Sequence, residues 1–434
     1  MYVDHSRLWR PVSYIKYRSS YQHHFIDGGY RYYRPSFWYY YGRLYGRNEG
    51  KKEEQEVKKT VSIIETVDRK YGTWVFYVAL VLMLTSTSWF WLDDIPSEIR
   101  LISKRFLQLG QALCCLRIAL LSWKYPRYVV LCAVIIGLVY VSYLFSHANM
   151  LLKTVMLVAA SRDADIKVIL RIYLVIFLTM LFLGPMTLLL DWTADIVKHK
   201  YNHVGHSYGF YNPNRYAYLM QMLILLLVHI LHIRRFLWVA IISWVSAVVI
   251  GWMTLSTTSV IVLLFFPLAY YWLKHHTVPS LWLALFPLLL TVLSIGLAFY
   301  FGPSTGESTF ASRFSIPYLL FERHGLSWLG QDCGIVTWEK AFREGVEPIY
   351  FNNLYLSLFV KNGVIVASLI LVLYGLYLYR MGRLRNPLLL AMALCLAISG
   401  LMQLFPINIM LDFLLMYFFQ EPFVRKNIVK AENE

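Results

Sequence analysis

Charge is scarce in this chain. Asp, Glu, Lys and Arg make up 15% of it, while 58% is hydrophobic. Soluble domains carry about 25% charged residues, so a water-facing globular surface is excluded for most of the length. Acidic residues are the scarcer kind, with 25 Asp and Glu against 41 Lys and Arg. Cysteine is sparse too: Cys114, Cys115, Cys132, Cys333 and Cys395. No spacing among them resembles a zinc site or a disulfide framework. Four lie in apolar runs, and Cys333 stands alone in a polar stretch. The net charge of +16 comes without a basic-aromatic RNA signature or a DNA-reading helix, so nucleic acid is excluded as the partner. No short apolar segment sits near Met1, and no cleaved signal peptide is expected.

What the chain has is long apolar runs. A membrane-spanning helix needs about 20 apolar residues. Runs near 74–92, 106–122, 128–147, 150–160, 167–190, 214–231, 236–253, 256–273, 279–299, 354–379, 387–403 and 405–419 predict an all-α, polytopic helix bundle of about twelve spans. Residues 1–70 form a polar, basic, Tyr-rich lead, expected to be a disordered cytoplasmic tail. Residues 71–434 form the membrane domain. Two polar stretches interrupt it, 191–214 and 301–353, and both are expected at the outer face.

Charge fixes the expected orientation. With the N-terminus inside, the inner connections are Lys124–Arg127, Arg162–Lys167, Arg234–Arg235, Lys274–His276 and Arg380–Arg385. Each is basic, as cytoplasmic loops are. Most short outer connections lack Lys and Arg; the first, with Arg100, Lys104 and Arg105, is the exception. An even number of spans puts both termini in the cytoplasm. The lipid matrix is a partner by this reading, and the location is the cytoplasmic (plasma) membrane.

The outer stretches hold the groups capable of chemistry. The first offers His199, His203, His206, Tyr208, Asn212, Asn214 and Arg215. Asn212 and Pro213 mark a turn before a helix, so Arg215 falls in its first turn. An anion there feels both the guanidinium and the helix N-terminus. On a helix His199, His203 and His206 would share a face, but Gly205 and Gly209 argue for a loop, and no metal is expected. The second stretch offers Arg313, Arg323 and His324, with ten residues between Arg323 and Gly334. Glu339 belongs to a short amphipathic segment whose i, i+4 ion pairs give it a structural reading. Asp412 lies inside an apolar run, where a carboxylate is costly; pairing with Lys153 or Arg117 is expected.

Three local patterns carry a resemblance. GHSYGFYNPNRYAYLM is similar to a "GF-x-NPN" start of a helix. ASRF followed by HGLSWLGQDCG resembles a loop Arg with a "plfG-x-G" segment. YFNNLYLSLFVKNGVI resembles a "DN-x-YL" return to the membrane. Together they resemble the bacterial polysaccharide polymerase (Wzy-like) and O-antigen ligase superfamily, from about Trp74 to the C-terminus. The chain departs from that pattern in having Asn352–Asn353 where polymerases often have Asp-Asn and ligases His-Asn, and in having no Arg within Leu255–Ser259.

The resemblance implies a GT-C-like bundle with a large outer loop between late helices. It implies polymerisation of lipid-linked oligosaccharide repeat units by glycan transfer from undecaprenyl pyrophosphate to a sugar hydroxyl. No cofactor is needed, and a flippase and a chain-length regulator are implied partners. Arg215 and Arg313 are the catalytic cations, with His206 or His324 as base. Tyr208, Asn212, Asn214, Arg323, Asn352 and Asn353 are the substrate contacts. The alternatives are ligase-type transfer, a transferase using a lipid-monophosphate sugar with Asp93 and Asp94 at its centre, and a flippase of the lipid-linked unit.

Overall fold

A computed structural model describes residues 71–419 except 90–91, 93–95, 194, 201–202, 303–310, 335–350, 352, 405, 407 and 409–411. The chain divides into two units, Met1–Glu54 and Gln55–Glu434, and every described residue belongs to the second. The expected tail, Asp93, Asp94, Glu339 and Asn352 lie outside the described residues.

The described residues are mainly helical. In chain order the helices are α1 (Thr73–Trp89), α2 (Ser97–Leu120), α3 (Pro126–Ser146), α4 (Met150–Ala160), α5 (Ile166–Leu189), α6 (Pro213–Ile230), α7 (Phe236–Thr254), α8 (Thr257–His275), α9 (Ser280–Phe301), α10 (Ser312–His324), α11 (Leu354–Asn362), α12 (Val364–Arg383) and α13 (Pro387–Ser399). A 3₁₀ turn, Leu121–Trp123, follows α2, and a 3₁₀ helix spans Phe413–Phe419. The all-α reading misses one feature. Lys198–Lys200 (β1) and His203–Gly205 (β2) form an antiparallel hairpin in the first polar stretch.

The chain is a multi-pass membrane protein in its helical make-up. Seven described helices are long and apolar enough to cross a bilayer: α2 with its 3₁₀ turn, α3, α5, α7, α8, α9 and α12. The bundle's outer surface is apolar as well. Val245, Val248 and Trp252 run down one side of α7 and are 58, 70 and 73% exposed, an apolar stripe suited to a lipid surface.

Among the described residues the other expected runs do not meet that length and apolarity, for local reasons. α1 has 17 residues, α4 has 11 and α13 has 13. α6 is long enough but begins with Asn214, Arg215 and a buried Gln221, which lowers its apolar character. The run 354–379 is broken at Gly363, whose φ is +84°. A side chain there would meet the Gly330 amide at 2.4 Å. Segment 327–330 fills that notch, and the carbonyls of Ser327 and Trp328 accept from the first amides of α12 at 2.9 and 3.1 Å. The run 405–419 ends as a 3₁₀ helix. Asp412 Oδ1 accepts from the Leu414 amide at 2.9 Å, a local turn that competes with α-helix.

The basic connections gather at one end. Lys124 pairs with Asp163 at 2.6 Å, and Arg162 stacks 3.7 Å from the Tyr125 ring centroid. Phe419 packs on Tyr128, and Arg380 lies over Phe418. Tyr270 Oη donates to the Arg234 carbonyl at 2.7 Å. α6 runs from Pro213 to Ile230, next to the Arg234 connection, so the end of the 191–213 stretch at Pro213 lies about 27 Å away along its 18 residues.

That stretch is clamped onto the bundle by glycine. Gly209 has φ +80°, and a Cβ on it would lie 2.3 Å from the Gly184 carbonyl oxygen of α5. Gly209→Ala is therefore expected to destabilise the protein by about 1–3 kcal/mol, through backbone strain and overpacking. Thermal unfolding in detergent checks this against Gly137→Ala in α3, whose added Cβ meets nothing within 4 Å and which is expected not to lower the melt.

Candidate functional site

The hairpin register builds the first group. Lys198 faces Gly205, His199 faces Val204 and Lys200 faces His203. Continued toward the bundle, the same register sets residue 196 against 207 and residue 195 against 208. Asp195 is thereby placed opposite the His206–Tyr208 turn. Its Oδ2 lies 2.6 Å from His206 Nδ1. Its Oδ1 accepts from the Ser207 amide at 2.9 Å, the Ser207 hydroxyl at 3.2 Å and the Tyr208 amide at 3.1 Å. The Ser207 hydroxyl also accepts from the Ile196 amide at 2.8 Å, which closes the turn.

Electrostatics follow from this geometry. Partial burial pushes the Asp195 carboxyl up, but the His206 bond and the two backbone amides outweigh it and hold it below its ordinary value. Asp195 thus stays ionised and fixes Nδ1 of His206 as the protonated nitrogen. Nε2 is then left as the acceptor. The His206 side chain is 42% exposed and that of Asp195 24%, so the imidazole reaches solvent while its orienting carboxylate is sheltered. Tyr208 holds φ 53°, a left-handed conformation rare outside Gly and Asn. Burial and the nearby Asp195 charge push its phenol up. Its ring packs 5.8 Å from His206 and 4.9 Å from Tyr216 of α6.

The start of α6 continues this group. Asn212 is its N-cap, and its side chain accepts from the Asn214 amide at 2.8 Å. That side chain therefore serves the helix first. Arg215 lies in the first turn, half-buried, with its guanidinium 4.7 Å from the Tyr211 ring centroid. The His206 amide donates to the Met253 carbonyl at the end of α7 at 2.9 Å, so α5, α6 and α7 all hold the turn in place.

A second group forms around the end of α13. Arg313 in α10 donates from Nη1 to the Met402 carbonyl at 3.1 Å. Asn353 donates to the Leu401 carbonyl at 2.9 Å, and its oxygen accepts from the Ser294 hydroxyl at 2.8 Å and the Leu356 amide at 3.1 Å. Asn353 is fully buried, with both ends of its amide engaged in tying α9, α11 and α13 together. Arg323 and His324 occupy the last turn of α10, Arg323 exposed and His324 half-buried. The first group thus rests on α5, α6 and α7, and the second on α9, α10, α11 and the end of α13.

One sequence expectation is corrected. Asp412 makes no ion pair among the described residues. It is buried within electrostatic reach of Tyr173, Tyr218, Tyr374 and Tyr377, while Arg117 donates to the Arg162 carbonyl at 3.2 Å. In place of the loop expected around Gly205 and Gly209, His199 and His203 lie on the paired strands β1 and β2. Among the described residues, no three His, Cys, Asp or Glu side chains gather as a metal-binding group.

Asp195 is the member of this group that the sequence reading passed over. Its signal was the spacing of the two short segments KHK and HVG, whose antiparallel pairing sets residue 195 opposite residues 206–208. No family model matches the chain, and neither a curated protein nor a solved structure is detectably similar to it.

Proposed function

We propose that the chain is a membrane-embedded glycosyltransferase that polymerises lipid-linked oligosaccharide repeat units at the outer face of the cytoplasmic membrane. The observation that carries this reading is the His206–Asp195 dyad, whose turn packs through Tyr208 on Tyr216, the residue after Arg215 in the first turn of α6. An imidazole oriented by a carboxylate is suited to general-base work. The acceptor sugar hydroxyl attacks the anomeric carbon, and its proton passes to His206 Nε2. The anomeric C–O bond breaks, and its electron pair leaves on the undecaprenyl diphosphate. Arg215, at the positive end of α6, meets that charge with a planar fork suited to phosphate oxygens. Arg313, in the second group on α10, is the other cation this reading assigns to the lipid-linked substrate. Tyr208 stacks on the acceptor sugar, with Asn214 and Arg323 as further contacts.

This reading assigns both termini to the cytoplasm, with a flippase to deliver the donor and a chain-length regulator as partner. The test is direct. Purified protein in detergent, given undecaprenyl-diphosphate-linked repeat units alone, is expected to yield a ladder of longer lipid-linked glycans. Unchanged substrate, or a product seen only when a lipid-A-type acceptor is added, sinks the polymerase assignment; the second outcome moves it to ligase-type transfer.

A further inference from the structure

The end of the bundle away from the dyad contains a cavity of about 1010 Å³. It opens between the starts of α5 and α13 and the ends of α6, α8 and α12. Five cations line it: Lys167, Arg171, Arg234, Lys274 and Arg385. All five are exposed, and none forms an ion pair among the described residues. The nearby acids are engaged elsewhere. Asp163 pairs with Lys124, and Asp165 caps α5 by accepting from the Lys167 amide at 2.9 Å.

The walls below this rim are apolar, formed by Leu170, Ile230, Leu388 and Leu389. The frame is fixed by hydrogen bonds within the protein. His229 Nε2 and Tyr417 Oη, 2.6 Å apart, join α6 to the last 3₁₀ helix. Asn386 caps α13 through the Leu388 and Leu389 amides. Arg385 has φ 50° at the end of α12, a left-handed position where glycine is usual. A cation is kept there against the backbone preference.

A basic rim over an apolar chamber between membrane helices matches an anionic amphiphile. We propose that this cavity binds the phosphorylated headgroup of a membrane lipid, its phosphate among the five cations and its first acyl segments against the leucine walls. Basic connections alone would serve as a topology signal, but that role needs no chamber and no apolar wall. Basic pockets between membrane helices are suited to lipid phosphates. The site is separate from the transfer chemistry proposed above and stands whether or not that chemistry is right.

The test uses full-length protein, purified and delipidated in detergent, with three probes read by native mass spectrometry and competition: dioctanoyl phosphatidate, dioctanoyl phosphatidylcholine and inorganic phosphate. Phosphatidate is expected to bind at least about tenfold more tightly than phosphatidylcholine and to weaken as salt rises. Each of Arg171→Gln, Arg234→Gln and Lys274→Gln is expected to weaken it about fivefold. Leu389→Trp, which fills the chamber and removes no charge, is expected to lower phosphatidate binding as well. Equal affinity for the two lipids by the wild-type protein overturns the proposal without recourse to any variant. So does a triple Gln variant that binds like wild type. Inorganic phosphate competing on equal terms with phosphatidate overturns the lipid source and leaves a free-anion site.

Discussion

His206→Ala is expected to slow chain extension by about 10²–10⁴-fold, the usual range for losing a positioned acid or base. The protein should still insert and melt normally. His206 is partly exposed, and its described side-chain contacts are the Asp195 bond and packing on Tyr208. Asp195→Asn separates orientation from basicity. The amide removes the charge that stabilises the imidazolium and allows either ring tautomer at Nδ1, so the turnover rate should fall while the affinity for lipid-linked substrate is kept. The measurement is initial rate against substrate concentration for both variants in detergent. A His206→Ala protein that extends chains at the wild-type rate would remove the base and, with it, the main support for a transferase.

The same carboxylate ties the site to pH. The pKa of Asp195 is held below its ordinary value in the folded protein. The stabilisation it gives is therefore complete above the unfolded-state value of about 3.9 and is lost as pH falls through the lower folded value. The turn at Ser207 and Tyr208 should loosen only in acid below the ordinary aspartate range.

How much of this was legible beforehand varies by element. α3, α5, α7, α8 and α9 lie within two to three residues of the expected runs at most of their ends, because lipid demands that every backbone group be paired within the helix. That demand leaves its mark as unbroken apolar sequence. The helix start at Pro213 was equally legible, since Asn212 and Pro213 carry a local capping chemistry. Breaks set by tertiary contact were not. The run through Gly363 reads as one continuous apolar helix, and only the backbone of residues 328–330 lying against that glycine explains the interruption. Asp195 was missed for a related reason. Its bonds reach residues 206, 207 and 208 across a hairpin, and a search organised by helical spacing has no reason to pair positions eleven to thirteen apart.

Arg215 and Arg313 looked equivalent in the sequence, and the structure gives them different surroundings. Arg215 stands in the first turn of α6, over Tyr211 and one residue before Tyr216, which packs on Tyr208. Arg215→Ala is expected to reduce the rate of chain extension by about 10²–10³-fold, the range for losing one donor to a developing anion. Arg215→Lys should recover only part of that, because an ammonium is a point charge and cannot bridge two phosphate oxygens as a fork does. Arg313 donates to the Met402 carbonyl beside the Asn353 bond to Leu401, so it also fastens α10 to the end of α13. Arg313→Ala should therefore lower thermal stability by about 1.5–3 kcal/mol, the range for a hydrogen bond from a charged group, as well as activity. Rate and melting temperature, measured on the same preparations, separate the two roles. If Arg215→Ala makes chains of normal length at a normal rate, the diphosphate is not held at α6. The cation would then have to be sought at Arg313 alone, where any loss of activity must first be corrected for the loss of fold.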